Sequence, residues 1–428
     1  IETKALNTFS SLIPVVKSEQ LLESSFVSNI APLIQDDRFV FSVFSIFGKF
    51  CEYISESDTD NSLAKQFQQS LLSVFQESIH QIYSTYGETV NFNCVEYDDF
   101  LILVSCVYEF LHLFVPILET SEYNSEITTA IGWIIQSCTT DYIDKNDDLS
   151  LFSEVIKFWN FISKIIFRSA SQEANPFHEI FLDSITYVIP FLVQNIVSAY
   201  TVIEISGTSN HFHYYLSTNS YESTLYDTMK ETFIILYGLK KNDLSNAISM
   251  QVDNLKADQY NANTINSICW TVGSISKAAS DEENSDLMGI IIPILIGIVQ
   301  TENETDDPTL ETIKITASQG LLFLCSQEAK YFQSNPDFLS SLVQIILKFL
   351  VSDDSSLIVV AIHTLNLLSK SCKQAFITPI EPSNTTILDD ILSVFTEKIM
   401  QIRPENRGSF VSIIADIVRF AQSISQEE

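Results

Sequence analysis

The run Leu287-Met-Gly-Ile-Ile-Ile-Pro-Ile-Leu-Ile-Gly-Ile-Val299 decides the fold of this chain. It contains no charged or polar side chain, yet it is too short to cross a bilayer, which takes ~20 apolar residues. Acidic residues stand on both sides of it, within Asp281–Asp286 and Glu302–Asp307. The run is therefore predicted to be a buried helix of a soluble protein.

A second run, Phe338–Leu350, carries two apolar stripes at helical spacing. The stripes are Phe338, Leu342, Ile345 and Phe349, and beside them Leu339, Val343, Ile346 and Leu350. Because a surface helix needs only one apolar face to reach its core, this helix must bury a second surface. Two interpretations stand: the helix is sandwiched inside the protein's own core, or it borders a groove that binds an apolar ligand.

Composition indicates a large helical protein in a reducing compartment. Of 428 residues, 46% are hydrophobic, and 10 Gly and 11 Pro are too few for an all-β fold. The formal charge of −31 excludes direct DNA binding as a main role, because phosphate contacts need a basic surface. The seven cysteines form no Cys-x-x-Cys pair, so we expect them to be small core residues. No segment reaches transmembrane length, and no membrane partner is predicted.

Apolar residues at three- and four-residue spacing recur along most of the chain, separated by short polar turns. Predicted helix starts at Ser285, Asn335 and Thr385 are 50 residues apart, with a second helix between them. Asn335-Pro336 suits a helix start, with Asn as the cap and Pro at the first helical position. The pattern predicts an all-α HEAT-repeat α-solenoid, a superhelix of antiparallel helix pairs over residues 1–428.

One segment, residues 200–216, interrupts the helical pattern. β-Branched and aromatic residues flank the turn Ser206-Gly-Thr-Ser-Asn210, which predicts a hairpin-like insertion. His211 and His213 lie within it, but no cysteine or carboxylate stands at metal-ligand spacing. No Gly-x-Gly or Walker motif occurs either. We therefore predict no metal, no cofactor, no catalytic residue and no enzymatic activity.

Several motifs, collinear in the chain, resemble the karyopherin family, and within it the exportins that recognise leucine-rich nuclear export signals. The most specific is Asn263-Thr-Ile-Asn-Ser-Ile-Cys-Trp-Thr-Val-Gly-Ser-Ile-Ser276, which is similar to the helix preceding the family's cargo groove. Leu225–Thr232 and Phe158–Asn160 are similar to earlier family helices. The order and spacing agree over essentially all 428 residues, and a whole family protein is more than twice this length. The chain is therefore interpreted as a central fragment.

The resemblance places the export-signal groove within residues 285–375. It implies that one wall is formed by Ile292, Ile296 and Val299, and the other wall by Leu342, Ile345 and Phe349. The implied floor is formed by Ala317 and Leu321, with Phe338 and Val360 nearby. The insertion at 200–216 stands where the family has a regulatory acidic loop. Here its only acid is Glu204.

The chain departs from the family pattern at three places in the groove. A reactive cysteine of the family aligns with Val299, and a lysine aligns with Ile345. A basic loop at the groove mouth becomes Glu302-Asn-Glu-Thr-Asp-Asp307, which we expect to repel acidic residues flanking a signal.

The resemblance implies a nuclear export receptor that shuttles between nucleus and cytoplasm. Its implied partners are cargo proteins with leucine-rich export signals, Ran-GTP, and FG-repeat proteins of the nuclear pore. Two alternatives stay open: a HEAT-repeat scaffold without a transport role, and another karyopherin that reads a different signal.

Overall fold

The protein is described by a computed structural model. The described residues are 29–36, 38–57, 62–88, 90–92, 95–115, 124–140, 142–143, 149–169, 178–196, 201–206, 212–217, 221–256, 261–301, 308–333, 335–352, 355–380, 384–402 and 404–427. The chain divides into two compact units, residues 1–192 and 193–428. The prediction of one continuous superhelix stays a prediction.

Helices make up the described part of the first unit. A 3-10 helix, Ala31–Gln35, precedes α1 (Val40–Ser57), α2 (Ser62–Tyr86), α3 (Tyr97–Phe114), α4 (Asn124–Thr139), α5 (Leu149–Ser169) and α6 (His178–Gln194). Helix α3 packs against both α1 and α5. The core between these helices is aromatic: Phe75 stacks on Phe110 with ring centroids 3.7 Å apart, and Trp133 and Trp159 are fully buried. Neighbouring helices thus share one continuous apolar layer.

The second unit contains one hairpin followed by helices. Its elements are β1 (Thr201–Ser206), β2 (Phe212–Ser217), α7 (Tyr221–Leu239), α8 (Lys241–Lys256), α9 (Ala262–Ile275), α10 (Asp281–Gln300), α11 (Pro308–Gln327), α12 (Ala329–Gln333), α13 (Pro336–Phe349), α14 (Ser355–Ser371), α15 (Lys373–Ile377), α16 (Ile387–Lys398) and α17 (Pro404–Glu427). The strands pair antiparallel, with Thr201 opposite Ser217 and Ser206 opposite Phe212. Strand β2 lies against α14.

The helices of the second unit form two rows, and their order defines the fold. The inner row stacks α9 on α11, α11 on α14, and α14 on α17. The outer helix α10 packs on α11, α13 packs on α14, and α16 packs on α17. Repeated outer–inner helix pairs are the HEAT architecture. The predicted all-α HEAT-repeat solenoid with one hairpin-like insertion is therefore confirmed as the fold class.

Two glycines allow the inner helices α9 and α11 to approach closely. A Cβ added to Gly273 would lie 2.2 Å from Cε1 of Phe323, and one added to Gly320 would lie 2.5 Å from Sγ of Cys269. Each helix thus uses a glycine to accept a side chain from the other. Phe323 in turn packs on Trp270, with ring centroids 4.0 Å apart. The packing of α9 on α11 therefore explains the glycine and the tryptophan of the Asn263–Ser276 motif.

Two details of the predicted repeat were wrong. The first helix begins at Asp281 and not at Ser285, because Ser280 and Glu283 form a reciprocal capping box. Asn335 does occupy the cap position and Pro336 does begin α13, as predicted, but the side-chain amide of Asn335 donates to the carbonyl of Tyr331 at 2.8 Å and makes no capping hydrogen bond. The three helix starts are therefore not evenly spaced.

The cysteines behave as the sequence predicted within the described part of the chain. Cys51, Cys106, Cys138, Cys269, Cys325 and Cys372 are free and buried.

Among the described residues, no group of histidine, cysteine and acidic side chains is arranged to hold a metal ion. In the same part, no helix combines the length and apolar character that crossing a bilayer requires.

A half-buried carboxyl group in the first unit gives the fold a pH-dependent stability. Burial, reinforced by Glu52, Glu154 and Glu56, raises the pKa of Glu109 on α3 to about 7. Because this folded-state pKa lies above the value of about 4.3 in an unfolded chain, folding is progressively penalised as pH rises from about 4.3 to 7.

We expect Glu109→Gln to stabilise the protein by about 1–2 kcal/mol at about pH 8, after allowing for the partial exposure of the carboxyl group. Urea unfolding of both proteins at about pH 8 and pH 5.5 measures the effect. The gain should be smaller at the lower pH, where native Glu109 is protonated. An equal gain at both values would contradict this assignment.

Candidate functional site

The start of outer helix α10 is held by contacts with α7 and α8. Tyr237 donates its hydroxyl to Glu283 at 2.6 Å, and Lys241 forms an ion pair with the same carboxylate. The bond from Lys241, with those from Tyr237 and the backbone N–H of Ser280, lowers the pKa of Glu283 to about 2. These contacts fix the position from which the apolar part of α10 runs.

Helix α10 buries one face and leaves the edge of that face accessible. Ile292 is fully buried, whereas Ile296 and Val299 are half-buried. Ile290, on the opposite face, is 43% exposed. The predicted groove wall on α10 therefore consists of one core residue and two residues that solvent reaches.

Helix α13 buries both of its predicted apolar stripes. Leu342, Ile345 and Phe349 are buried, and Phe338 at the start of the helix is half-buried. The second stripe is equally buried: Leu339, Val343, Ile346 and Leu350. An aspartate at Ile345 would therefore disturb the core of this structure, so that position cannot test ligand binding separately from folding.

The predicted floor lies within the inner helices. Ala317 and Leu321 of α11 and Val360 of α14 are buried. The two inner helices are also joined by a hydrogen bond in which the hydroxyl of Thr364 donates to the carbonyl of Leu322 at 3.1 Å. The floor residues Ala317 and Leu321 and the neighbouring Val360 are thus packed core residues of adjacent repeats.

The structure brings the predicted residues to one pair of adjacent repeats. Helices α10 and α11, and α13 and α14, form the two packed pairs, and α11 packs on α14 between them. The outer helices α10 and α13 make less backbone contact with each other than α13 makes with α16. The accessible positions Ile296, Val299 and Phe338 belong to these two outer helices.

Tyr331, which the sequence analysis did not predict as a site residue, lies near both outer helices α10 and α13. The periodicity predicts one helix over Leu310–Tyr331, but the chain turns after Gln327 and forms the separate short helix α12. This turn places the hydroxyl of Tyr331 4.0 Å from where a Cβ would stand at Gly289 of α10. Its ring lies 6.3 Å from the ring of Phe338 on α13.

A comparison with known protein families covers the first outer helix of the candidate site, α10. The family model described as CRM1 / Exportin repeat 3 matches residues 256–306, from the end of α8 to just beyond α10. Exportin-1 of Drosophila melanogaster is 18% identical over 374 residues, which covers 83% of this chain and 34% of the relative. Exportin-1 of Dictyostelium discoideum is 19% identical over 283 residues, which covers 64% of this chain and 26% of the relative.

Among solved structures, Kap121p aligns with a TM-score of 0.44 and 12% identity, covering 99% of this chain and 41% of Kap121p. Importin beta aligns with the same TM-score and identity, covering 91% of this chain and 47% of importin beta.

The helix pairs define a HEAT-repeat solenoid. Within that class, the sequence is similar to the central region of exportin-1, at low identity but over much of the chain. The chain spans about a third of the length of the first exportin-1 relative.

Proposed function

We propose that this chain is the central part of a nuclear export receptor and that α10 and α13 bind a leucine-rich export signal between them. The observation that carries the proposal is the position of the accessible apolar residues. Ile296, Val299 and Phe338 lie on two outer helices of adjacent repeats, and the exportin repeat model covers the first of these helices. The proposed function is binding and transport, without catalysis.

Binding through the whole predicted groove requires a local rearrangement of these helices, because most of the proposed groove residues are buried in this structure. A signal with several apolar anchors would gain ~1.5–3 kcal/mol for each side chain it buries. Ordering the peptide and opening the groove offset much of this gain, so a dissociation constant on the order of micromolar is expected. The site would thus bind weakly and release readily.

The hairpin is a candidate regulator of this groove. Strand β2 lies against α14, an inner helix of the groove repeats. A change in the position of the hairpin would therefore act on α14, which carries Val360 beside the predicted groove. The acidic loop at 302–307, assigned to the groove mouth, lies outside the described residues.

We further propose that Ran-GTP binding is coupled to cargo binding, that the receptor contacts FG-repeat proteins, and that it shuttles between nucleus and cytoplasm. The relatives named exportin-1 support this proposal. One structural neighbour is Kap121p bound to Nup53p, which aligns with a TM-score of 0.40, so this likeness concerns the fold alone.

Ran dependence separates this proposal from a scaffold role. We expect Ran locked in its GTP form to be retained by the immobilised protein, and retained better when a leucine-rich peptide is present, because the two ligands favour the same state. Ran-GDP is the matched control. Equal retention of the two nucleotide forms would support a scaffold and contradict the proposal.

A further inference from the structure

A second cleft lies on the other side of α13. Helix α13 packs against α16, and a cavity of about 290 Å³ opens between them. Its lining includes Leu347, Lys348, Asp390, Ser393, Val394 and Lys398. None of the lining residues lies on α10, and at 100° per residue Leu347 stands nearly opposite Leu342, Ile345 and Phe349 on α13, whereas Lys348 lies about 60° from Ile345. This cleft is therefore separate from the proposed groove between α10 and α13.

The charge of the cleft differs from that of the chain as a whole. The sequence has 54 acidic and 23 basic residues, yet two lysines and one aspartate line this cavity. Lys348 is exposed and Lys398 is half-buried, and neither forms an ion pair with another described residue. The cleft thus holds two ammonium groups available to an anionic ligand.

The floor of the cleft is apolar. Leu347 is buried at 4% exposure, and Val394 is half-buried. Asp390 and Ser393 lie beside this floor and offer oxygen atoms that accept hydrogen bonds from a peptide backbone. Small-molecule pockets begin at about 300 Å³, so the cavity has room for a few side chains and not for a folded domain.

We propose that the α13–α16 cleft binds a short acidic peptide segment that also carries an apolar side chain. The carboxylates pair with Lys348 and Lys398, and the apolar side chain covers Leu347 and Val394. Asp390 and the strong negative charge of the chain act against long polyanions such as nucleic acids. The proposal does not depend on the leucine-rich groove, because the cleft is lined by α13 and α16 and by no residue of α10.

The test uses fluorescence anisotropy with a short labelled peptide of alternating glutamate and leucine. A peptide with glutamine in place of glutamate tests the charge, and unlabelled polyuridine tests whether any polyanion competes. The main variant is Lys348→Glu with Lys398→Glu. Lys370→Glu is the matched control, because Lys370 is an exposed lysine in the last turn of α14, as Lys348 and Lys398 are in the last turns of α13 and α16.

We expect the double variant to lose about ten-fold or more in affinity, while Lys370→Glu retains at least half of the native affinity. Affinity for the glutamate peptide should fall as salt is added, because salt screens exposed charges beyond ~8–10 Å. If charge reversal impairs folding, the neutral pair Lys348→Gln with Lys398→Gln replaces it, and this pair should also bind the glutamate peptide more weakly than the native protein.

Three results would overturn the proposal. The first is no binding of the glutamate peptide, or equal binding of the glutamine peptide. The second is an equal loss in the Lys370→Glu control. The third is displacement of the labelled glutamate peptide by polyuridine when both are present at similar concentrations of negative charge, which would indicate non-specific polyanion binding. None of these results bears on the α10–α13 groove, which the variants leave unchanged.

Discussion

Replacing Val299 with cysteine is expected to change the protein from inert to fully reactive toward Michael acceptors. Val299 is half-buried at the end of α10, where the resemblance to the exportins predicts the position of their reactive cysteine. A thiol there with an ordinary pKa of about 8.5 is a few per cent thiolate at pH 7, which suffices for alkylation. The expected product is one adduct per chain, measured by intact mass.

The native sequence offers no comparable thiol among the described residues. Cys325, the nearest described cysteine after Val299 in sequence, is fully buried, and burial raises its pKa well above the usual range. Burial also raises the pKa of Cys269. A Cys94→Ser background removes the one cysteine outside the described residues. Rapid stoichiometric alkylation of the native groove would show that the alignment of α10 is wrong.

Gly273→Ala is expected to destabilise the second unit by about 1–3 kcal/mol, the usual range for overpacking a core. The added methyl group would lie 2.2 Å from the ring of Phe323. That ring is buried and packs on Trp270, so it cannot move aside without disturbing a second aromatic residue. For a unit of this size, the decrease in melting temperature should lie between a few degrees and about 10 °C.

Gly297→Ala is the matched control for this substitution. Gly297 lies on the exposed side of α10, and a Cβ there would contact nothing within 4 Å. Alanine should therefore be neutral or stabilising by up to about 1 kcal/mol, because it favours the helix more than glycine does. Phe323→Leu should restore part of the stability lost in Gly273→Ala. Equal melting of native protein and Gly273→Ala would contradict the close packing of α9 on α11.

The sequence predicted the type and order of the elements well, because helical periodicity and polar turns are local signals. It placed the start of α10 wrongly at Ser285, since the apolar run begins later than the capping box at Ser280. It also missed the turn after Gln327, where no glycine or proline marks the break. Such boundaries depend on capping and tertiary contacts more than on periodicity.

The apolar face of α13 at the candidate site could be predicted from the sequence, but what covers that face could not. The stripe Phe338, Leu342, Ile345 and Phe349 indicates a second buried surface, and the structure does bury most of it. Periodicity cannot tell whether a ligand or neighbouring helices cover such a face. Tyr331, the contact of β2 with α14 and the α13–α16 cleft all depend on residues distant in sequence, so no local pattern reveals them.

Equilibrium binding of a labelled leucine-rich peptide tests the central claim most directly. The comparison uses Ile296→Asp at the accessible edge of α10 and Ile290→Asp on the opposite, exposed face of the same helix. Both variants should melt close to the native temperature. We expect a dissociation constant on the order of micromolar for the native protein and for Ile290→Asp, and at least ten-fold weaker binding for Ile296→Asp. We also expect weaker binding of a peptide whose leucines are replaced by alanine. Equal affinity for both peptides, or equal affinity of the two variants, would contradict a leucine-rich peptide site between α10 and α13.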